Sequence, residues 1–178
     1  PCLGVGNHPS SSYSSPRSLG YHDDVSCNYD TPPNPNSGEL TYMFPIDLSG
    51  TASAWLHFWT YYETEMGNQL VDTLWAQVSS DGSTWVNLVQ VEDTTYSMLT
   101  WLRVDSSDIG TVIPLPDADV WIRFAFNTVD GVLNNFAGWY VDDVLIDDVP
   151  PAPVGVPFPF SESFDAGPPA GWSWTSYW

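Results

Sequence analysis

The fold class is decided by one stretch of alternating residues, Asp119-Val120-Trp121-Ile122-Arg123-Phe124-Ala125-Phe126-Asn127-Thr128. Side chains along a β-strand point to opposite faces in turn, so residues two apart share a face. One face of this stretch is apolar and is predicted to point inward: Val120, Ile122, Phe124 and Phe126. The opposite face carries Trp121 and Arg123. The alternation therefore predicts a strand that buries one face in a core.

The chain from Glu39 to Ile146 repeats this kind of pattern. Runs of β-branched and aromatic residues are separated by turn residues about every ten positions, and no stretch has a helical period. The other predicted strands are Glu39 to Pro45, Ala54 to Glu65, Val71 to Ser79, Thr84 to Val91, Met98 to Val104 and Gly138 to Ile146. Asp81-Gly82 predicts a hairpin between two of them. Together these strands predict an all-β fold, an antiparallel β-sandwich.

The outward positions of these strands are unusually aromatic. They include Trp55, Trp59, Trp75 and Trp121. An exposed aromatic stripe can stack on the sugar rings of a carbohydrate or contact a neighbouring subunit. It can also be buried under a returning loop or a flanking segment. The sequence leaves these alternatives open.

Net charge restricts the partners of the chain. Its 178 residues include 22 Asp and Glu against three Arg and no Lys, which gives a formal net charge of −19. Nucleic acids and anionic membranes are bound through clustered cations, so neither is an expected partner. An acidic surface can simply keep a protein soluble. The alternative is that bound cations neutralise it, and calcium is the expected ion because it prefers oxygen ligands.

The two cysteines, Cys2 and Cys27, predict a disulfide. Their spacing fits neither a Cys-x-x-Cys redox pair nor a zinc site. Disulfides persist in oxidising compartments, so we expect an extracellular or cell-surface protein. The apolar runs are far shorter than the roughly 20 residues of a membrane span, and no membrane insertion is expected.

Two adjacent carboxylates, Asp142 and Asp143, interrupt the last apolar strand of the predicted sandwich. Because neighbours in a strand point to opposite faces, at least one of them is expected near the interior. A buried carboxylate needs a partner, which a metal ion or a β-bulge turning both acids toward a loop would supply. Acids that protect an edge strand from aggregation are the alternative. Asp23, Asp24 and Glu162 are further candidate metal ligands.

A proline-rich stretch divides the chain. Five prolines between Val149 and Phe160 oppose regular strand pairing and favour a semi-rigid spacer. Such spacers separate packing units. We therefore predict a β-sandwich domain over residues 1–148, a linker over residues 149–159, and a segment over residues 160–178 that belongs to another packing unit.

The sequence offers little for catalysis. It lacks a Gly-x-Ser-x-Gly elbow, a His-Glu-x-x-His motif and a phosphate-binding loop. Glu63 and Glu65 could form a glycosidase pair, because residues two apart in a strand share a face. The same spacing is common on solvated strands. We expect a protein that is not an enzyme.

Five short motifs, in this order along the chain, resemble a known family. They are Ile46 to Gly50, Leu56 to Tyr61, Val78 to Trp85, Ile122 to Phe124 and Gly138 to Val144. The series is similar to the jelly-roll domains called MAM-like or choice-of-anchor J, which accompany secreted bacterial proteins such as the immune inhibitor A type of metalloprotease. The resemblance implies a jelly-roll β-sandwich of the appended, non-protease kind.

The resemblance also implies an unusual order of segments. In the family, a segment like Glu162 to Asp165 followed by Pro-x-Gly-Trp comes first, whereas here it comes last. It would then supply the opening strand of the next unit, with Phe160, Phe164 and Trp172 filling the groove of a neighbour. Similar jelly rolls often hold calcium between an opening-strand Glu and closing-strand Asp residues, here Glu162 with Asp142 or Asp143.

A contact that passes from one copy to the next in this way does not close, so it propagates. We therefore expect a non-catalytic extracellular structural domain, stabilised by calcium, that assembles with copies of itself into a filament, a pilus-like fibre or a tandem-repeat stalk. The alternative function is a carbohydrate-binding or adhesion module of a secreted protein.

Overall fold

The computed structural model describes residues 2–65, 72–91, 98–115, 119–148, 157–162 and 172–174. Within them the chain forms one 3-10 turn, Ile109–Thr111, and a set of β-strands. The strands are β1 (Leu19–Tyr21), β2 (Ser37–Tyr42), β3 (Ile46–Asp47), β4 (Trp55–Glu63), β5 (Thr73–Ser79), β6 (Val86–Gln90), β7 (Met98–Asp105), β8 (Asp119–Asn127), β9 (Gly138–Asp147), β10 (Pro157–Glu162) and β11 (Trp172–Trp174).

The strands form two antiparallel sheets that pack face to face. In the first sheet the order is β1, β9, β4, β7, and β10 also pairs with β9. In the second the order is β11, β2, β8, β5, β6, and β3 also pairs with β8. The predicted all-β sandwich is confirmed. The described part of the chain contains no helix long and apolar enough to cross a membrane.

The core lies between the sheets and follows the predicted alternation. All the residues predicted to point inward from β8 are buried, and so are Leu74, Ala76 and Val78 of β5. Aromatic rings join the two layers: the ring centroids of Phe58 and Phe124 are 4.9 Å apart in a T-shaped arrangement. Burial of these apolar faces is the main stabilising contribution to such a fold.

Each strand predicted from alternation is present, with ends shifted by a few residues. One shift changes an interpretation, because β4 ends at Glu63 and Glu65 lies beyond it. The bounds of the short strands β1 and β3 were not predicted. Leu19–Tyr21 is too short for alternation to be visible, and it is held by pairing with Tyr140 and its neighbours in β9.

The N-terminal segment, residues 2–18, lies over the outer face of the first sheet. The predicted disulfide between Cys2 and Cys27 is present. The indole nitrogen of Trp101 donates to the Ser11 carbonyl at 3.1 Å, and the Tyr61 hydroxyl donates to the Asn7 carbonyl at 2.5 Å. Polar contacts of this kind explain how a Ser-rich and Pro-rich segment without strand periodicity is ordered on the sheet.

Most of the predicted linker, residues 149–156, and the assembly residue Phe164 lie outside the described residues. The segment that follows the linker pairs within this chain. In β10, Ser161 and Glu162 pair with Leu145 and Val144 of β9. In β11, Trp172 pairs with Tyr42 of β2. The C-terminal segment thus contributes one strand to each sheet of the chain that carries it.

Candidate functional site

The strongest candidate site is built on a β-bulge in β9. Pairing between β4 and β9 shifts register between His57 and Trp59, and Asp143 adopts a left-handed backbone conformation with φ of 46°. A bulge places an extra residue in one strand and re-aims its side chains. Because of it, Asp142 and Asp143 both contact the N-terminal segment instead of pointing to opposite faces.

Hydrogen bonds hold these two carboxylates in place. Asp142 is fully buried, and its Oδ2 accepts from the Ser14 backbone N–H at 3.1 Å. Its Oδ1 accepts from the Asp143 N–H at 2.8 Å. The Ser14 hydroxyl donates to Asp143 Oδ1 at 2.8 Å. The sequence led us to expect either a metal ion or a β-bulge beside the buried carboxylate. The structure contains the bulge.

The backbone brings a third predicted ligand to this site. Glu162 pairs with Val144, the residue after Asp143, so β10 places it beside the bulge. Calcium binds carboxylate, hydroxyl and carbonyl oxygens. Asp142, Asp143 and the Ser14 hydroxyl supply oxygen atoms of this type. These residues are therefore chemically suitable ligands for a hard cation.

The other two predicted ligands lie elsewhere. Tyr21 at the end of β1 pairs with Trp139 near the start of β9, so the chain passes to Asp23 and Asp24 at the end of β9 that leads away from the bulge. Asp23 Oδ1 accepts from the N–H groups of Val25 at 2.9 Å and Ser26 at 2.7 Å. These bonds lower the Asp23 pKa. Asp23 therefore closes its own turn and does not join Asp142.

A second group with potential metal ligands fails on chemistry. Cys2, His22 and Asp24 have ligand atoms within 4.8 Å of one another. The Cys2 sulfur is bonded to Cys27, so no thiolate is available. Burial lowers the pKa of His22, which does not oppose metal binding, so the group fails because of the disulfide alone.

The N-terminal segment covers the aromatic stripe of the first sheet at Trp59. The Tyr13 ring from the N-terminal segment stacks on the Trp59 indole. The sequence left open whether the stripe binds a carbohydrate, contacts a subunit or is covered by a flanking segment. At Trp59 it is covered by a flanking segment. Trp55 is half-buried at the start of β4, where it pairs with Asp147.

His57 of β4 is buried between two carboxylates. Its Nδ1 lies 2.5 Å from Asp105 Oδ1, and its Nε2 lies 3.1 Å from Asp147 Oδ1. Arg103 donates to the same Asp105 oxygen at 2.7 Å. Bonds from His57 and Arg103 hold the Asp105 pKa below its usual value although burial opposes this. The cluster links β4, β7 and the end of β9.

The outer face of the second sheet carries the other two predicted tryptophans. Trp75 and Trp121 are half-buried. On β8, two residues after Trp121, Arg123 pairs with Glu39 at 2.8 Å, donates to Gln77 at 2.6 Å and lies over the Trp85 ring at 4.4 Å. This face therefore presents indole rings beside a fixed set of hydrogen-bonding groups.

Glu63 and Glu65 do not form a shared carboxylate site. Glu63 accepts from the Asn7 amide and, at 3.0 Å, from the Ala137 N–H. Glu65 lies beyond the end of β4, where its N–H donates to Asp72 at 2.9 Å. The prediction that the two would share a strand face is wrong, because the strand ends between them. Sequence alternation alone could not locate that end.

Sequence reasoning missed the N-terminal contributors to the site. Ser14 and Tyr13 occur in a run of Ser, Tyr and Pro that has no period, and their positions follow from contacts with β9 and β4. The only sequence feature pointing to them is the disulfide, which ties residue 2 to residue 27.

The fold and these contacts define the chain as a disulfide-linked, two-sheet antiparallel β-sandwich. The chain matches no protein-family model, and no curated protein matches it.

Proposed function

We propose that this protein is a non-catalytic extracellular structural module that joins copies of itself by exchanging its C-terminal strands. The observation that carries the proposal is the pairing of β10 with β9 in one sheet and of β11 with β2 in the other. The C-terminal segment thus forms an edge strand in each of the two sheets. Main-chain pairing of this kind works equally well when the segment comes from a second copy.

The linker has the length that exchange requires. Pro157 pairs with Asp147, so residues 148–156 join two positions that lie side by side. Paired backbones are about 5 Å apart, whereas a proline-rich segment of that length in extended form spans about 28 Å. Residues 148–156 are therefore more than this hairpin needs, and the extra length would allow β10 to pair with β9 of a second copy.

Calcium would stabilise such a junction. In an exchanged assembly Glu162 would come from one copy, and Asp142 and Asp143 from the next. A cation held among them would offset repulsion between chains that each carry a formal charge of −19. The jelly-roll resemblance supports this arrangement, and the disulfide supports an extracellular location.

Mixed-copy cross-linking tests the exchange. Ser161 of β10 pairs with Leu145 of β9, so one copy would carry Ser161→Cys and a differently tagged copy Leu145→Cys. The copies are mixed at high concentration with calcium, then oxidised. We expect a cross-linked species containing both tags, because exchange brings the new cysteines together. Light scattering on the wild type should show large particles that shrink when calcium is chelated.

The matched control pairs Ser161→Cys with Ser83→Cys, which lies at the exposed turn between β5 and β6. It should give no mixed product. A doubly substituted Ser161→Cys, Leu145→Cys chain that cross-links only within itself, together with no mixed product and a steady monomer mass, would overturn the proposal.

A carbohydrate-binding or adhesion module is the second candidate. The half-buried Trp75 and Trp121 beside the Arg123 network favour it, because indoles stack on sugar rings while fixed polar groups bind hydroxyls. A glycan array should then give binding that Trp75→Ala and Trp121→Ala each abolish. Binding that survives both substitutions, or no binding by the wild type, would exclude this face as a carbohydrate-binding site.

A further inference from the structure

We propose that a cleft beside the end of β4 binds a primary alkylammonium group, such as a lysine side chain or a free amine carries. The cleft has a volume of about 400 Å³. Its walls are residues 5–8 of the N-terminal segment, residues 26–27, Glu63 at the end of β4, and residues 135–137 before β9. The cleft is separate from the bulge in β9, and binding there does not depend on strand exchange.

Glu63 supplies the negative charge of the cleft. It is half-buried, and both of its carboxylate oxygens are fixed by donors: Oε1 accepts from the Asn7 amide, and Oε2 accepts from the Ala137 N–H at 3.0 Å. A carboxylate oxygen can accept two hydrogen bonds, so each keeps capacity for one more donor. Burial raises the pKa of Tyr61, and the nearby charge on Glu63 adds to that effect. Glu63 is thus a positioned carboxylate that can still bind a ligand.

The charge of this carboxylate favours a cationic ligand. Within the part of the chain that the structure describes, Glu63 forms no ion pair with an arginine. Arg103 pairs with Asp105 at 2.7 Å, and Arg123 pairs with Glu39 at 2.8 Å. The formal net charge of −19 attracts cations to the whole surface and repels anions. Because the chain contains no Lys, a second copy cannot supply a lysine side chain, so the partner is a different molecule.

The remaining walls also suit an ammonium group. Phe136 contributes an aromatic ring, and the face of such a ring attracts cations. Asn135 is exposed, and its Oδ1 accepts from the Asn28 amide at 2.8 Å, so an amide oxygen is held at the cleft. His8 Nε2 donates to the Cys27 carbonyl at 2.8 Å, which leaves this N–H unavailable to an anion. An ammonium group has three N–H donors for oxygens of this kind.

NMR titration of the full chain labelled with ¹⁵N tests the cleft. The probes are butylammonium, Nα-acetyl-lysine amide, and the same lysine amide with its side chain also acetylated and therefore neutral. At neutral pH and low salt, we expect butylammonium to shift the backbone N–H resonances of Asn135 and Ala137, and the neutral probe to shift neither. The shifts should weaken as salt is added, because ions screen the attraction. Binding of the charged lysine probe as well identifies a lysine side chain as a source, and binding of butylammonium alone identifies a free amine.

Glu63→Gln keeps the shape of the side chain and removes its charge. We expect its affinity for butylammonium to fall by at least about tenfold, because charge-assisted hydrogen bonds are the strong ones. The matched control Asp119→Asn removes an exposed acid at the start of β8 and should leave the affinity unchanged.

Asn135→Asp provides a second test should Glu63→Gln fold poorly. It adds a carboxylate at an exposed position of the cleft, so we expect the affinity for butylammonium to rise. The proposal is overturned if the neutral probe shifts the same resonances as the charged ones, since the cleft then binds without regard to charge. It is also overturned if no probe shifts them, or if Glu63→Gln with an unchanged thermal midpoint binds as tightly as wild type.

Discussion

The ring of Tyr13 stacks on the indole of Trp59 with centroids 3.7 Å apart and planes 13° apart. This contact joins the N-terminal segment to the middle of β4. Together with the Ser14 bonds to Asp142 and Asp143, it makes the segment a cover for the outer face of the first sheet. The aromatic stripe at this position therefore has a structural role in binding the cover.

Replacing Tyr13 by Ala should loosen this cover. Stacked aromatic pairs contribute about 1 kcal/mol beyond the area they bury, so we expect the free energy of unfolding to fall by at least that amount. Urea denaturation followed by tryptophan fluorescence measures it. Tyr13→Phe keeps the stacked ring and should remain close to wild type. An unchanged midpoint in the Ala variant would mean that the stacking contributes nothing to stability.

Breaking the disulfide should have a larger effect. Cys2 and Cys27 are 25 residues apart, and closing a loop of that length stabilises a fold by about 3.5 kcal/mol in the chain-entropy account. We expect a Cys2→Ser, Cys27→Ser chain to lose stability of this order while keeping its β-sheet circular dichroism. Wild type under reducing conditions should behave in the same way. A stability loss well below 1 kcal/mol would show that the segment is held by its polar contacts alone.

Glu65 makes the stability of the protein depend on pH. Its pKa is raised in the fold by burial and by Asp130, so the folded protein binds this proton more tightly than the unfolded chain does. Its contribution to stability is present below the ordinary Glu pKa of about 4.3 and is lost as pH rises through the folded value. Glu65→Gln should remove this part of the decline in stability with rising pH.

Thermal unfolding of wild type and Glu65→Gln across pH 4–8 measures this difference. Asp130 and Asp72 are the other acids near Glu65, and both remain in the variant, so the comparison isolates one group. Parallel pH profiles for the two proteins would contradict the assignment.

The sequence predicted the parts of this fold that are set by local periodicity. Alternation along β5 and β8 identified their buried faces, because residues two apart, such as Leu74 and Ala76 or Phe124 and Phe126, share one side of a strand. Alternation could not place Tyr13 on Trp59 or Ser14 on Asp142, since these contacts join residues far apart in the chain. It also gave no means of grouping acids in space, so it left open which of the candidate ligands Asp23, Asp24, Asp142, Asp143 and Glu162 share a site.

Deleting residues 149–156 should force the exchange of strands. Only Asp148 would then separate Asp147 from Pro157, and a tight hairpin needs a loop of at least two residues. The shortened chain could not pair its own β10 with its own β9 in the observed register. Its C-terminal segment could satisfy that pairing only on another copy, so we expect stable dimers or longer polymers at concentrations where wild type still contains monomer.

Size-exclusion chromatography with light scattering measures the outcome. A chain in which the same residues are replaced by a Gly-Ser linker of equal length is the matched control, and it should resemble wild type because its hairpin can still close. Removal of the segment from residue 157 onward should abolish assembly of the shortened chain by removing the donated strands. A shortened chain that remains monomeric at millimolar concentration would show that β9 does not accept this strand from a neighbour.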